Sequence, residues 1–184
     1  MRSGGLLQRG MAALAAALVA APGLARATDG VAPETAVKAA YLSKFAPFVT
    51  WPQLARAPPD APLTICVQGA DPFDGVLDRL TAGERVGRHP VIVRRIAKLG
   101  ADSGCQIAYV GGSPKQPQAA ALAAVEGEPV LTVTDSDSGG DRRGIVHLIL
   151  SGGHVRFIID AGQADRDGLR ISSKLLALSA GARR

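Results

Sequence analysis

The segment Lys38–Pro52 reads KAAYLSKFAPFVTWP and holds four of the seven aromatic residues of the chain. Apolar side chains recur in and just before it at spacings of four, four and three residues, which places them on one face of a helix. This stripe consists of Val37, Tyr41, Phe45 and Phe48. Pro52 prevents the helix from continuing. We expect a helix docked on a sheet. The alternative is a turn from Phe48 to Pro52 that contacts a partner, because Trp is enriched at interface hot spots.

Six short apolar runs downstream have the length and composition of β-strands. They lie at residues 63–67, 91–93, 105–110, 130–134, 145–150 and 155–160. Helical segments between several of them indicate parallel crossovers, and near-continuous apolar strands are typical of sheets buried on both faces. The last two runs are joined by SGGH at residues 151–154, which is a hairpin signal. The sequence therefore predicts a single α/β domain. We expect a mixed, mostly parallel sheet of about six strands, with helices on both faces and a C-terminal antiparallel hairpin.

Four helices are predicted, at about residues 34–46, 72–80, 116–126 and 173–180. Asp71 precedes Pro72, a pairing typical of an N-cap followed by the first helical residue. Ser172 is the predicted N-cap of the last helix. Residues 165–168 are predicted to form a turn.

Residues 1–27 have the organisation of a secretory signal peptide. Two arginines precede an unbroken apolar run at residues 11–21, which is too short to span a bilayer. Ala25–Ala27 fits the A-x-A cleavage pattern. We therefore predict cleavage after Ala27 and a mature single domain at residues 28–184, with a transmembrane anchor as the alternative.

The basic character of the full chain, which has a net charge of +5, comes largely from this N-terminal segment. The segment holds three of the 21 Lys and Arg and none of the 16 Asp and Glu, so the mature chain has 18 basic and 16 acidic residues and a net charge of +2. The sequence also has no basic stretch interleaved with aromatic residues. We therefore expect no nucleic-acid partner.

The two cysteines, Cys66 and Cys105, both lie in apolar strand-like runs. In an oxidising compartment a disulfide between them would close a long loop and stabilise the fold by about 2–4 kcal/mol. The alternative is two buried thiols, because sequence alone does not supply the Cα separation that a disulfide needs.

The remaining motifs give no catalytic or metal site. His147 and His154 lie on the two arms of the predicted hairpin, but two ligands do not make a structural zinc site. Gly111–Ser113 separates a strand from a helix and is interpreted as a tight turn; a small-anion pocket is the alternative, although Pro114 removes a donor. The sequence has no nucleophile elbow, and neither cysteine has an activating signature. We therefore expect no enzyme activity, no metal and no cofactor.

Charged residues surround the last predicted strand and the segment after it. An apolar strand and a short Leu-rich helix with a charged rim are typical of a protein interface. The alternative is a solvated edge strand that charges protect from wrong pairing. The candidate partner-binding residues, together with those of the N-terminal turn, are Phe48, Trp51, Arg156, Asp160, Leu169, Arg170, Ile171 and Leu175.

Four ordered segments carry a family resemblance. They are KAAYLSKFAPFVTWP (38–52), LTICVQGADPFDGVLDRL (63–80), CQIAYVGGS (105–113) and HVRFIIDAGQADRDGLRISSKLLALS (154–179). Together they resemble the YfiR family of periplasmic proteins over about residues 36–179. The sequence departs from the family at two places. Asp160 replaces an Asn of the family, and DRRGIV at residues 141–146 replaces the residues that usually lead into the hairpin in the family.

The resemblance implies a single α/β domain without catalysis. It implies a periplasmic repressor that binds the periplasmic domain of an inner-membrane diguanylate cyclase and lowers cyclic di-GMP synthesis. It further implies a homodimer and release through an OmpA-like lipoprotein or through redox state. Redox control would depend here on one disulfide at most, because Cys66 and Cys105 are the two cysteines of the chain. The alternative is a periplasmic small-ligand-binding module that reports to a sensor kinase or transport system, with a cleft rimmed by Arg94, Arg95 or Arg156.

Overall fold

The computed structural model describes residues 34–135 and 142–183. The predicted signal peptide and its cleavage point lie outside the described residues, and that prediction stands on the sequence. None of the helices in the described ranges is long and apolar enough to cross a membrane.

The described ranges contain six α-helices and ten strands. The helices are α1 Glu34–Phe45, α2 Pro52–Arg56, α3 Val76–Thr81, α4 Gln118–Ala123, α5 Ala161–Arg166 and α6 Ser173–Leu178. The longer strands are β2 Leu63–Gly69, β4 His89–Ile96, β5 Ile107–Gly112, β6 Leu131–Asp135, β7 Val146–Ser151 and β8 His154–Asp160. The two-residue strands are β1 Val49–Thr50, β3 Arg85–Val86, β9 Arg170–Ile171 and β10 Ala182–Arg183.

Eight of these strands form one mixed sheet in the order β3-β4-β2-β5-β6-β7-β8-β10. The neighbours from β4 to β7 are all parallel, whereas β7 and β8 form an antiparallel hairpin. The predicted fold class is thereby confirmed. The six predicted strands are the six longer ones, and the two-residue strands β3 and β10 extend the sheet at its edges.

Side chains alternate between two faces of the sheet, and each face has its own apolar layer. Ile65, Ile107 and Leu131 point to the face covered by α1 and α3, which carries the larger cluster. Cys66 and Ala108 point to the opposite face, where the smaller cluster includes residues of α4. Helices therefore cover both faces, as predicted.

Helix α1 docks on the β7–β8 hairpin through an aromatic cluster. The Phe157 ring lies 5.1 Å from that of Tyr41 and 5.4 Å from that of Phe45, both edge to face. The Tyr41 hydroxyl donates to the backbone oxygen of Val155 at 3.2 Å. The helix is confirmed as a docked core helix, although Lys38, which lies off the predicted stripe, is also buried.

The predicted start of the second helix at Pro72 is wrong. Asp71 does not cap a helix at Pro72; its Oδ1 accepts from the Phe73 amide at 2.8 Å in a local turn. Asp74 and Gly75 then have φ values of 45° and 70°, so α3 begins only at Val76. The left-handed backbone at these two residues is incompatible with a continuous helix.

The segment after β8 also differs from the prediction. Residues 161–166 form α5, so the predicted turn at 165–168 coincides with the last two residues of this helix and the two residues after it. Asp160 Oδ1 accepts from the Gln163 amide at 2.8 Å and so caps α5. The predicted cap of α6 is confirmed, because Ser172 Oγ accepts from the Leu175 amide at 3.3 Å.

Candidate functional site

Cys66 and Cys105 form a disulfide with a Cα–Cα distance of 5.8 Å. Cys66 lies on β2 and Cys105 just before the adjacent parallel strand β5, so the bond ties two neighbours in the centre of the sheet. Both residues are buried in the smaller apolar layer. Of the two sequence alternatives, the disulfide is therefore the one that the structure supports.

The N-terminal turn and the C-terminal candidate segment lie side by side. Strands β1 and β9 pair antiparallel, with Val49 opposite Ile171 and Thr50 opposite Arg170. The Ser172 amide extends the pairing by donating to the Phe48 oxygen at 2.9 Å. Two segments that are more than 100 residues apart in the sequence thus form one two-stranded unit.

Three of the candidate partner-binding residues are buried. Trp51 is 3% exposed, Leu169 1% and Leu175 3%, and all three belong to the larger core cluster. Trp51 Nε1 donates to the backbone oxygen of Gln106 at 3.0 Å. These side chains attach the β1–β9 unit to the domain, and they could meet a partner only if that unit opened.

The exposed part of this unit is smaller. Arg170 is exposed, and Phe48 and Ile171 are partly buried against the core. Lys174, at the start of α6, is exposed as well. We call Phe48, Arg170, Ile171 and Lys174 the β1–β9 surface.

Arg156 and Asp160 lie on β8, away from the aromatic cluster. Because Phe157 points to the α1 face, the alternation of the strand directs its neighbour Arg156 to the opposite face, where it is exposed. Asp160 is partly buried and caps α5. The candidate residues therefore divide between the β1–β9 surface, the core and the open face of the hairpin.

Two of the three arginines named for the predicted ligand cleft, Arg94 and Arg95, are bound by other groups of the protein. Arg95 Nε donates to Asp71 Oδ2 at 2.9 Å, and the guanidinium also binds both carboxylate oxygens of Asp78. This hydrogen bonding by Arg95 holds the pKa of Asp78 below its ordinary value. Arg94 donates to the Ser103 oxygen at 3.0 Å. The side chains of Arg94 and Arg95 thus stabilise the local structure around them.

A buried ion pair escaped the sequence analysis. Lys38 Nζ lies 3.1 Å from Asp135 Oδ2 and 2.6 Å from Glu34 Oε1. The Tyr109 hydroxyl donates to the same Asp135 oxygen at 2.9 Å. Because Asp135 ends β6 and Lys38 belongs to α1, the pair links the helix to the carboxyl end of the sheet. Spacing could not reveal a contact between residues so distant in the sequence.

The two hairpin histidines have separate environments. His147 is buried on β7, and its Nδ1 lies 3.0 Å from Thr134 Oγ1. His154 is exposed at the start of β8, and its Nδ1 lies 2.9 Å from the Gly152 oxygen. Within residues 34–135 and 142–183, no three His, Cys, Asp or Glu side chains are grouped closely enough to hold a metal ion.

His147 should make stability depend on pH. Burial lowers its pKa, and Arg143 lowers it further against an opposing effect of Asp135. Below the unfolded value of about 6.5, the unfolded chain takes up a proton that the native chain resists, so stability falls as the pH falls towards the native pKa. The slope contributed by this one group is at most about 1.4 kcal/mol per pH unit.

Urea unfolding of the wild type and of His147→Gln at several values between about pH 8 and about pH 5 measures this contribution. The wild type should lose more stability on acidification than the variant. Parallel curves for the two proteins would show that His147 does not contribute.

The fold and the candidate site define the structural class of this protein. It is a mixed α/β domain with one disulfide in the centre of the sheet and two exposed candidate contact surfaces, the β1–β9 surface and the open face of the hairpin. A family model described as YfiR/HmsC-like matches residues 35–180, so the chain belongs to the YfiR/HmsC-like family. The match runs from α1 to just beyond α6, and it confirms the resemblance seen in the four segments. No curated protein matches the chain. Members of this family are periplasmic regulators of diguanylate cyclases and are not themselves enzymes.

Proposed function

We propose that this protein is a periplasmic repressor that binds the periplasmic domain of an inner-membrane diguanylate cyclase and lowers cyclic di-GMP synthesis. The observation that carries the proposal is the family match over residues 35–180. The signal-peptide pattern at residues 1–27 supports export to the compartment where such a domain is accessible.

The β1–β9 surface is the proposed contact with the cyclase. Phe48 and Ile171 offer apolar area that is only partly buried, and Arg170 and Lys174 place positive charge beside it. A partner with an acidic rim around an apolar centre would complement this arrangement. A homodimer and sequestration by an OmpA-like lipoprotein belong to the same proposal, with Arg156 on the open hairpin face as a second contact.

Deletion of the gene, with the cyclase encoded beside it expressed, should raise cellular cyclic di-GMP, because the repressor is lost. Complementation with Arg170→Glu should fail to restore the low level, since charge reversal within the contact weakens binding by about tenfold or more. Arg56→Glu is the matched control, because Arg56 is an exposed arginine of α2 outside the surface. An unchanged cyclic di-GMP level after deletion would overturn the proposal.

Binding to the purified periplasmic domain of that cyclase separates the contact from the function. Wild type and Arg56→Glu should bind alike, whereas Arg170→Glu should bind more weakly. If deletion raises cyclic di-GMP but both variants bind as the wild type does, the repressor proposal stands and the assignment of the β1–β9 surface fails.

A further inference from the structure

A small cavity lies between the β7–β8 hairpin, the end of α4 and the segment of α5. Its volume is about 90 Å³, which leaves room for a ligand of a few non-hydrogen atoms. Part of its wall is apolar and consists of Leu122, Val125, Ile145 and Ile158. Polar side chains from the hairpin, from the chain leading into β7, from α5 and from the residues just after α4 and α5 complete it. The cavity is distinct from the β1–β9 surface.

His147 presents a hydrogen-bond donor to this cavity. Thr134 Oγ1 accepts from the Gly144 amide at 3.0 Å and lies 3.0 Å from His147 Nδ1. Thr134 is fully buried, so its hydroxyl proton needs an acceptor, and Nδ1 is the acceptor that the described contacts provide. The neutral ring then carries its proton on Nε2.

The Nε2–H group has no partner among the described residues. His147 is 7% exposed and lines the cavity, and the hydrogen bond that its ring makes is that of Nδ1 with Thr134. A ligand with an acceptor atom in the cavity would accept a hydrogen bond from this remaining donor.

Arg143 supplies a positive charge at the same cavity. Its neighbour Arg142 is engaged, because Arg142 Nη2 lies 2.7 Å from Glu126 Oε2. Arg143 also lines the cavity, but it has no ion pair with any described residue. Its charge acts on His147, whose pKa it lowers. Cavity and charge together favour an anionic acceptor.

The acidic side chains around the cavity limit the charge of that anion. Asp167 is buried and accepts from the Gly127 amide and from Gln163 Nε2, and Asp160 accepts from the Gln163 amide. A third acidic residue of the wall, Glu126, is paired with Arg142. The carboxylates of Asp160 and Asp167 are held in place by the protein, and they would repel a multiply charged anion such as phosphate more strongly than a singly charged one. The apolar wall favours a ligand that also has hydrocarbon atoms.

We propose that this cavity binds a small organic monocarboxylate. Its carboxylate accepts hydrogen bonds from His147 Nε2 and the Arg143 guanidinium, and its short hydrocarbon end packs against Val125 and Ile158. This site goes beyond the proposed repressor function and does not depend on it.

The test is a titration of the mature protein with sodium acetate and sodium propionate, followed by NMR of the imidazole groups. The chain has only three histidines, and His147→Gln assigns the signal of interest. We expect a saturable shift of the His147 signal, with sodium chloride at equal ionic strength as the salt control. A shift of the same size with chloride, or a larger effect with phosphate, would overturn the proposal.

Affinity measurements on variants locate the site. Arg143→Gln should bind acetate at least tenfold more weakly, whereas Arg56→Gln, an exposed arginine elsewhere, should bind as the wild type does. His147→Phe should lose binding, and His154→Phe is its matched control. Because Arg143 is exposed, its variant tests the proposal even if His147→Phe does not fold. Equal acetate affinity of Arg143→Gln and the wild type contradicts the site.

Discussion

Replacing Cys66 and Cys105 together by alanine is expected to lower the free energy of unfolding by about 4 kcal/mol. The bond joins residues 39 positions apart, and closing a loop of that length in the unfolded chain gives this magnitude in the chain-entropy description. Alanine is the suitable replacement because both positions are buried, and a serine hydroxyl there would need a new partner.

Urea unfolding followed by fluorescence measures the effect, since the chain has one tryptophan and Trp51 is buried in the native structure. Adding a reductant should destabilise the wild type towards the level of the double variant and leave the variant itself unchanged. A wild type that keeps its full stability under reducing conditions would contradict the expected contribution.

The disulfide contributes more to stability here than it would in a domain whose sheet has an extensive apolar layer on both faces. The larger core cluster contains the aromatic side chains of α1 and β8, whereas the layer around Cys66 and Cys105 consists of small and aliphatic residues. Less apolar area is buried on that side, so packing contributes less. The covalent link between β2 and β5 therefore stabilises the face that has the weaker packing.

The main sheet could be predicted from the sequence because its six longer strands are apolar runs. Strand β2 is the clearest example, since its first six residues are all buried. The β1–β9 pair could not be predicted, because a two-residue strand carries no periodic pattern. Its pairing depends on contacts such as that of Ser172 with Phe48, which close a loop of more than 100 residues.

Two other features of the structure were harder to predict from the sequence. Asp160 and Gln163 have the spacing of a capping box, which could have predicted α5. Lys38 offered no such signal: a lysine off the apolar stripe of a helix is ordinarily solvated, and its burial follows from Asp135 at the end of a distant strand. In the same way, the burial of Trp51, Leu169 and Leu175 is a consequence of tertiary packing.

Phe157→Ala is expected to destabilise the protein by about 3–5 kcal/mol, the range for truncating a buried aromatic residue. Phe157 is 3% exposed and meets both Tyr41 and Phe45 edge to face, so the variant loses apolar burial and two ring contacts. Urea unfolding measures the loss, and Leu150→Ala on β7 is the control, because Leu150 is 54% exposed and should change stability by less than about 1 kcal/mol.

A double-mutant cycle with Phe45→Ala then tests whether the cluster acts as the joint between α1 and the hairpin. The two rings lie 5.4 Å apart, and residues in contact couple by about 0.5–3 kcal/mol. Additive effects of the two substitutions would contradict this role.

The cluster holds α1 on β8, and the chain runs directly from α1 through residues 46–48 into β1. Loosening this joint should therefore also loosen the β1–β9 surface. If the proposed contact with the cyclase is made there, Phe157→Ala should weaken it although Phe157 itself is buried.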